Sequence, residues 1–211
     1  MSIDTTFFGL LRKHQIRFRL SEPVETNRLA SGEVLTASLG AALWVGEITC
    51  FQAHYSVAQE IEARIDKLQR PGEFFEAYDP RFNGPKSDPD GVLLGASTPV
   101  IASLGGDNRS LTLSGLPSGY ELSAGDYIGW QYGTNPVRFA VHRLATGATA
   151  DGAGLTPIFE VSPHVRTGVT VGTAVNLVRP RIKARLMSPD YGNARPMFTE
   201  GARFSFTQTL R

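Results

Sequence analysis

The spacing of apolar residues changes period along the chain, and each change predicts an element. Ile16, Phe18 and Leu20 alternate with Arg17 and Arg19, which puts three apolar side chains on one face of a strand and two guanidinium groups on the other. A second strand is predicted over residues 43–51, with Trp44, Ile48 and Cys50 sharing a face. Residues 56–68 then switch to helical spacing. Val57, Ile61, Ile65 and Leu68 form one stripe, and Glu60, Glu62, Arg64, Asp66 and Lys67 lie elsewhere on the wheel. Ser56 and Gln59 stand at capping-box spacing, and Arg70-Pro71-Gly72 stops the helix because proline disfavours helical geometry in the residue before it. An apolar strand resumes over 74–78.

Residues 79–91 hold three prolines and two glycines and read as an exposed connector. Beyond it, residues 93–179 are punctuated as a series of short strands. Strands are predicted at 110–113, 127–132, 138–144, 155–162 and 174–178, each bounded by Gly, Pro, Asp or Ser. Two more strands close the chain, at 182–187 and 203–210, separated by a turn-prone loop; in the last, Phe204 and Phe206 alternate with Ser205 and Thr207. Their return to the first sheet would make the middle of the chain an insertion. The predicted fold is mainly β with one helix (α+β). A β-sandwich-plus-helix domain, residues 1–90 with 181–211, carries a small β-barrel or β-sandwich module at 91–180.

Composition agrees with many strands joined by tight turns: 41% hydrophobic and 19% charged residues, with 22 Gly and 13 Pro in 211 residues. A formal net charge of +1 supplies no global field for nucleic acid or an anionic membrane, so neither specific nucleic-acid binding nor membrane insertion is expected. Residues 1–11 lack the basic start of a signal peptide, and no run reaches the roughly 20 apolar residues that span a bilayer. Cys50 is the single cysteine, which leaves no intramolecular disulfide and fits a reducing cytoplasm.

Reactive constellations are missing from the sequence. His14, His54, His142 and His164 show no metal-ligand spacing, and no Gly-x-Ser-x-Gly elbow or phosphate-binding loop occurs. Gly168 and Gly172 lie between strands rather than opening a helix. Asp79, Asp88, Asp90, Asp126 and Asp151 read as turn formers, and Ser87-Asp88-Pro89-Asp90-Gly91 lacks the closing glutamate of a calcium loop. No catalytic residue, cofactor or metal site is therefore expected. Two contact surfaces remain. Arg181, Lys183 and Arg185 share one strand face, either a solvated or protected edge or a contact with an acidic neighbour. Tyr127, Trp130 and Tyr132 form the alternative, a stacking surface for carbohydrate, although Ile128, Trp130 and Tyr132 on one face equally suit a core.

The segments Leu111-Thr112-Leu113-Ser114-Gly115-Leu116-Pro117-Ser118-Gly119 and Leu122-Ser123-Ala124-Gly125-Asp126-Tyr127 are followed by Thr149-Ala150-Asp151-Gly152-Ala153-Gly154 and Val161-Ser162-Pro163-His164-Val165-Arg166. With Gly172-Thr173-Ala174-Val175-Asn176-Leu177 and Arg185-Leu186, this order of punctuation resembles tail-tip proteins of long-tailed bacteriophages and related prophages. The upstream strand, the helix over 56–68 and Gly72-Glu73-Phe74-Phe75 resemble the ring-forming domain of distal tail (Dit-like) and minor tail proteins. The likeness spans residues 40–187. It implies a ring of identical subunits, commonly a hexamer, between the tail tube protein and the baseplate hub protein of a virion tail. The inserted module would point outward, toward a partner protein or a host-surface glycan.

Overall fold

A computed structural model describes residues 2–211. The chain opens with β1 (Ser2–Asp4), α1 (Phe7–Leu10), β2 (Lys13–Ser21), β3 (Val24–Arg28), β4 (Val34–Ser38), β5 (Leu43–Cys50), β6 (Ala53–His54), α2 (Tyr55–Leu68) and β7 (Glu73–Ala77). The middle supplies β8 (Val100–Leu104), β9 (Ser110–Ser114), β10 (Glu121–Leu122), β11 (Tyr127–Tyr132), β12 (Arg138–Leu144), β13 (Ala148–Thr149) and β14 (Phe159–Ser162). It ends with β15 (Ile182–Asp190), β16 (Phe198–Thr199) and β17 (Arg203–Gln208). Two compact units result, residues 1–76 with 183–209 and residues 77–182 with 210–211.

The first unit is a six-stranded sheet in the order β1-β7-β15-β17-β5-β2. Strands β7 and β15, which flank the middle of the chain, are neighbours in it. On the inner face, Phe7, Phe8, Phe18, Trp44, Phe75, Phe204 and Phe206 are all buried. Phe18 stacks on Trp44 at 5.0 Å, and Phe75 meets Phe7 and Phe206 edge-on at 5.3 and 5.8 Å. Such pairs contribute about 0.5–1.5 kcal/mol each beyond the apolar area they bury. Gly46 in β5 makes this packing possible, because a Cβ there would lie 2.2 Å from Cζ of Phe206.

Helix α2 buries Ala58, Ile61, Ile65 and Leu68; Val57, expected in the stripe, is exposed. The capping box does not form. His54 is the N-cap residue, no side chain caps the helix, and the Ser56 hydroxyl lies 3.0 Å from Nδ1 of His54 instead. Starting the helix two residues earlier than that box requires places Ser56 inside it, where its hydroxyl cannot serve as a cap.

In the second unit, β11-β12-β14-β9-β8 form one sheet. Residues 172–176 close it. Thr173 carbonyl accepts from Ile101 N–H at 3.0 Å and Val175 N–H donates to Pro99 carbonyl at 2.8 Å, while Asn176 exchanges hydrogen bonds with Gly129 at 2.9 and 2.6 Å. The stretch expected as a strand at 174–178 thus forms only isolated bridges. Ala174 pairs toward one edge strand and Asn176 toward the other, so neither side builds a ladder. The expected strand at 155–162 shortens to β14, since Pro157 has no N–H to donate. Leu111, Leu113, Ile101, Ile128, Trp130, Phe159, Val161 and Leu177 fill the interior of this small barrel.

Residues 79–91 overturn the expectation of an exposed connector. They belong to the second unit, and Asp79 and Asp88 are buried. Asp88 accepts from Leu93 and Leu94 N–H at 3.0 and 2.8 Å and from the Tyr120 hydroxyl at 3.1 Å. Asp79 accepts from Arg81 Nε and a terminal guanidinium nitrogen at 2.9 and 2.7 Å and from the Tyr127 hydroxyl at 3.3 Å. Asp126 takes Lys86 N–H at 3.2 Å and Ser123 N–H at 2.8 Å. Pro and Gly exclude a β-ladder here without excluding burial, because the carboxylates replace the ladder's hydrogen bonds.

Two stability predictions follow from this packing. Gly46→Ala drives a methyl into Phe206 and should cost about 1–3 kcal/mol in chemical denaturation, the range for overpacking a core; an unchanged midpoint would contradict the contact. Burial alone raises the Asp88 carboxyl, but the Leu93 and Leu94 amides and the Tyr120 hydroxyl outweigh it and hold it below the ordinary 3.8. Its contribution is therefore complete above pH 3.8 and lost as pH falls through the lowered value. Asp88→Ala should destabilise by about 2–3 kcal/mol at pH 7, as for loss of charged hydrogen bonds, and by progressively less on acidification below that point.

Candidate assembly surface

Strands β2 and β5 form a ribbon that leaves the sheet at its Ser21–Leu43 pair and continues as β3 and β4. Pro23 carbonyl accepts from Leu39 N–H at 2.8 Å where the two segments join. At the tip, Glu33 carbonyl accepts from Leu29 N–H at 2.8 Å and Gly32 turns the chain at φ 87°. This two-stranded arm pairs with no other strand, and every residue from 22 to 41 is exposed. Five residues per strand at roughly 3.3 Å each carry it about 15–20 Å beyond the sheet.

Cross-strand pairing sorts the arm's side chains. Val24, Thr26, Arg28, Val34, Thr36 and Ser38 share one face; Glu25, Asn27, Leu35 and Ala37 share the other. Leu35 and Leu39 are 49% and 66% exposed, and Leu29 and Val34 at the tip are also open. Residues 22–39 hold Glu22, Glu25 and Glu33 against Arg28. An acidic, leucine-bearing arm with no core of its own is thus held out from the sheet.

Opposite the aromatic core, the sheet presents Arg17, Arg19, Glu47, Arg185, Met187 and Arg203, all exposed. Arg17 and Glu47 lie 3.7 Å apart with both side chains largely in solvent, a pairing that contributes little. A groove of about 200 Å³ crosses β2, β5 and β17, between Arg17, Arg19, Val45, Phe206 and Thr207. A second, of about 490 Å³, continues past Thr49 and Arg203 to His14, Phe51 and Glu200.

The residues singled out in the sequence are placed differently. Lys183 is buried, its ammonium 4.9 Å from the Phe74 ring centre, in a strand flanked by β7 and β17. It is neither an edge nor a solvated face. Arg181 precedes β15, and Arg185 is exposed, so the three make no common exposed surface. Tyr127, Trp130 and Tyr132 are all buried, at 5%, 4% and 7% exposure, and cannot offer ring faces to a sugar. The Tyr127 hydroxyl accepts from Arg143 and donates to Asp79, while Trp130 stacks on His142 at 4.4 Å.

Burial sets the chemistry of the remaining candidates. It pushes the Cys50 thiol up to about 11, partly offset by Lys13, so the group stays protonated and poorly nucleophilic near neutral pH. His142 is buried with Nδ1 2.7 Å from Pro163 carbonyl, and burial pushes it down to about 4. Among the described residues no three His, Cys, Asp or Glu side chains gather at metal-binding distance, and no helix is long and apolar enough to cross a membrane.

The sequence reading missed the arm. Its signal lay in the β-branched alternation Val24-x-Thr26 and Val34-x-Thr36 on either side of Ser31-Gly32. No protein-family model matches this chain, and no curated protein matches it.

Because His142 is neutral when folded and ordinary when unfolded, the unfolded chain takes up the proton first as pH falls from about 6.5 to about 4. The barrel's melting temperature should drop across that window, and the drop should flatten in His142→Phe. An equal slope in the variant would rule out His142 as the source.

Proposed function

We propose that this protein is a structural component of a bacteriophage tail tip, a ring subunit that joins the tail tube to the baseplate hub by self-association in the virion tail. The arm carries the reading. A two-stranded hairpin is marginally stable alone in water, yet here one is built from residues 24–38 and left with its leucines and both strand edges uncovered. Exposed β-edges and apolar patches of this kind are aggregation hazards in a monomer and contact surfaces in an assembly.

Further support comes from the layout of the chain. A sheet-and-helix unit interrupted by a small barrel is the organisation implied by the likeness to distal tail proteins. The barrel interior is filled by its own apolar side chains. The burial of Tyr127, Trp130 and Tyr132 leaves the carbohydrate reading without its surface. The role is accordingly one of contact, with copies of itself and with tail proteins above and below.

Light scattering on the purified protein, together with negative-stain microscopy, should show closed rings. Replacing residues 23–39 by a short turn should yield a monomer whose melting temperature stays within a few degrees of the parent's. A parent protein that remains monomeric at high concentration, with no rings in the micrographs, would sink the proposal.

A further inference from the structure

Resting on the self-association reading, we infer that the arm of one copy seats along the outer face of the six-stranded sheet of a second copy, in the two grooves over β2, β5 and β17. The grooves run end to end. One lies beside Ser21, Val45 and Thr207, and the next begins at Thr49 and Arg203 and reaches Phe51. An extended two-stranded segment needs a long, shallow seat, and this face offers one.

Charge selects the occupant. The first groove is bordered by Arg17 and Arg19 against Glu47, with Arg185 exposed on the same sheet face, while Asp190 and Glu200 stand beside Arg203 in the second; the arm bears Glu22, Glu25 and Glu33 against Arg28. The first groove and the arm are opposite in sign on a chain whose total charge is only +1, so the arm's carboxylates belong over Arg17 and Arg19. Arg17 is held to Glu47 only by an exposed 3.7 Å contact, so its guanidinium can turn to an incoming carboxylate at little cost. Val45 lines the first groove and the exposed Phe51 ring the second, apolar ground for Leu35 and Leu39.

Geometry makes the contact intermolecular. The arm departs from the Ser21–Leu43 end of the β2–β5 ribbon, and the larger groove lies at its Lys13–Cys50 end. Eight or nine paired residues at roughly 3.3 Å separate the two ends by about 25–30 Å. The arm points away from its own seat and meets another copy's. Such a contact joins two different patches, as a rotationally closed ring requires.

A charge exchange tests this. Glu22→Lys with Glu25→Lys reverses the arm, and Arg17→Glu with Arg19→Glu reverses the seat; all four positions are exposed, and melting curves check that each variant folds. Each double variant alone should fall to monomer mass in analytical ultracentrifugation, and a 1:1 mixture should regain the parent's mass. The parent assembly should also shrink with added salt, as screening shortens to about 3 Å at 1 M. If the seat variant alone assembles like the parent, or the mixture recovers nothing, the arm docks elsewhere while self-association stands. A monomeric parent overturns both.

Discussion

The pairing of β2 with β5 is the constraint on which the first unit depends. Register along this ribbon sets Phe18, Trp44 and Ile48 inward and Arg17, Arg19 and Glu47 outward, and a slip of one residue would exchange the two sets. The same pairing, carried past Ser21 and Leu43, fixes the orientation of the arm. Core, outer face and projection are therefore three results of one register. Gly46 sits at its centre, opposite Phe18 on one side and Phe206 on the other, and lets the aromatic layer close against backbone.

The second unit solves a different problem. Its strands are short, and two of its edges are joined by a segment that makes only single bridges to each. Buried carboxylates substitute for regular pairing: Asp79, Asp88 and Asp126 satisfy amides and hydroxyls that no strand reaches. Local sequence supplies turns, and these acids convert the turns into fixed structure. His142 and Trp130 complete the interior as a stacked pair.

Much of this was legible wherever one face of an element is wet. Alternation in β2, β5 and β17 and the helical stripe of α2 declare themselves because water sorts their residues. The reading lost its grip where burial is two-sided or absent. Lys183 reads as surface but is buried over Phe74, since a long aliphatic stem and a ring can carry a cation inward. Tyr127, Trp130 and Tyr132 look adhesive in sequence because composition does not distinguish a core aromatic from a platform. The arm escaped for the converse reason: exposed on both faces, β3 and β4 have no apolar alternation for a core to impose. Asp88 shows the third limit, because its partners Leu94 and Tyr120 are set by tertiary structure.

Trp44 N–H donates to the side-chain oxygen of Gln208 at 3.2 Å across 164 residues of sequence. While the chain is being synthesised, β5 therefore lacks a partner on one side until β17 has emerged. The barrel's strands lie between them in sequence and are complete earlier. Order of synthesis thus gives the inserted unit time to fold first, turning a long unstructured loop into a compact body before the outer sheet is joined. Until then the ribbon and its arm are attached to an unfinished sheet, whose outer face is complete only when the last strand is in place.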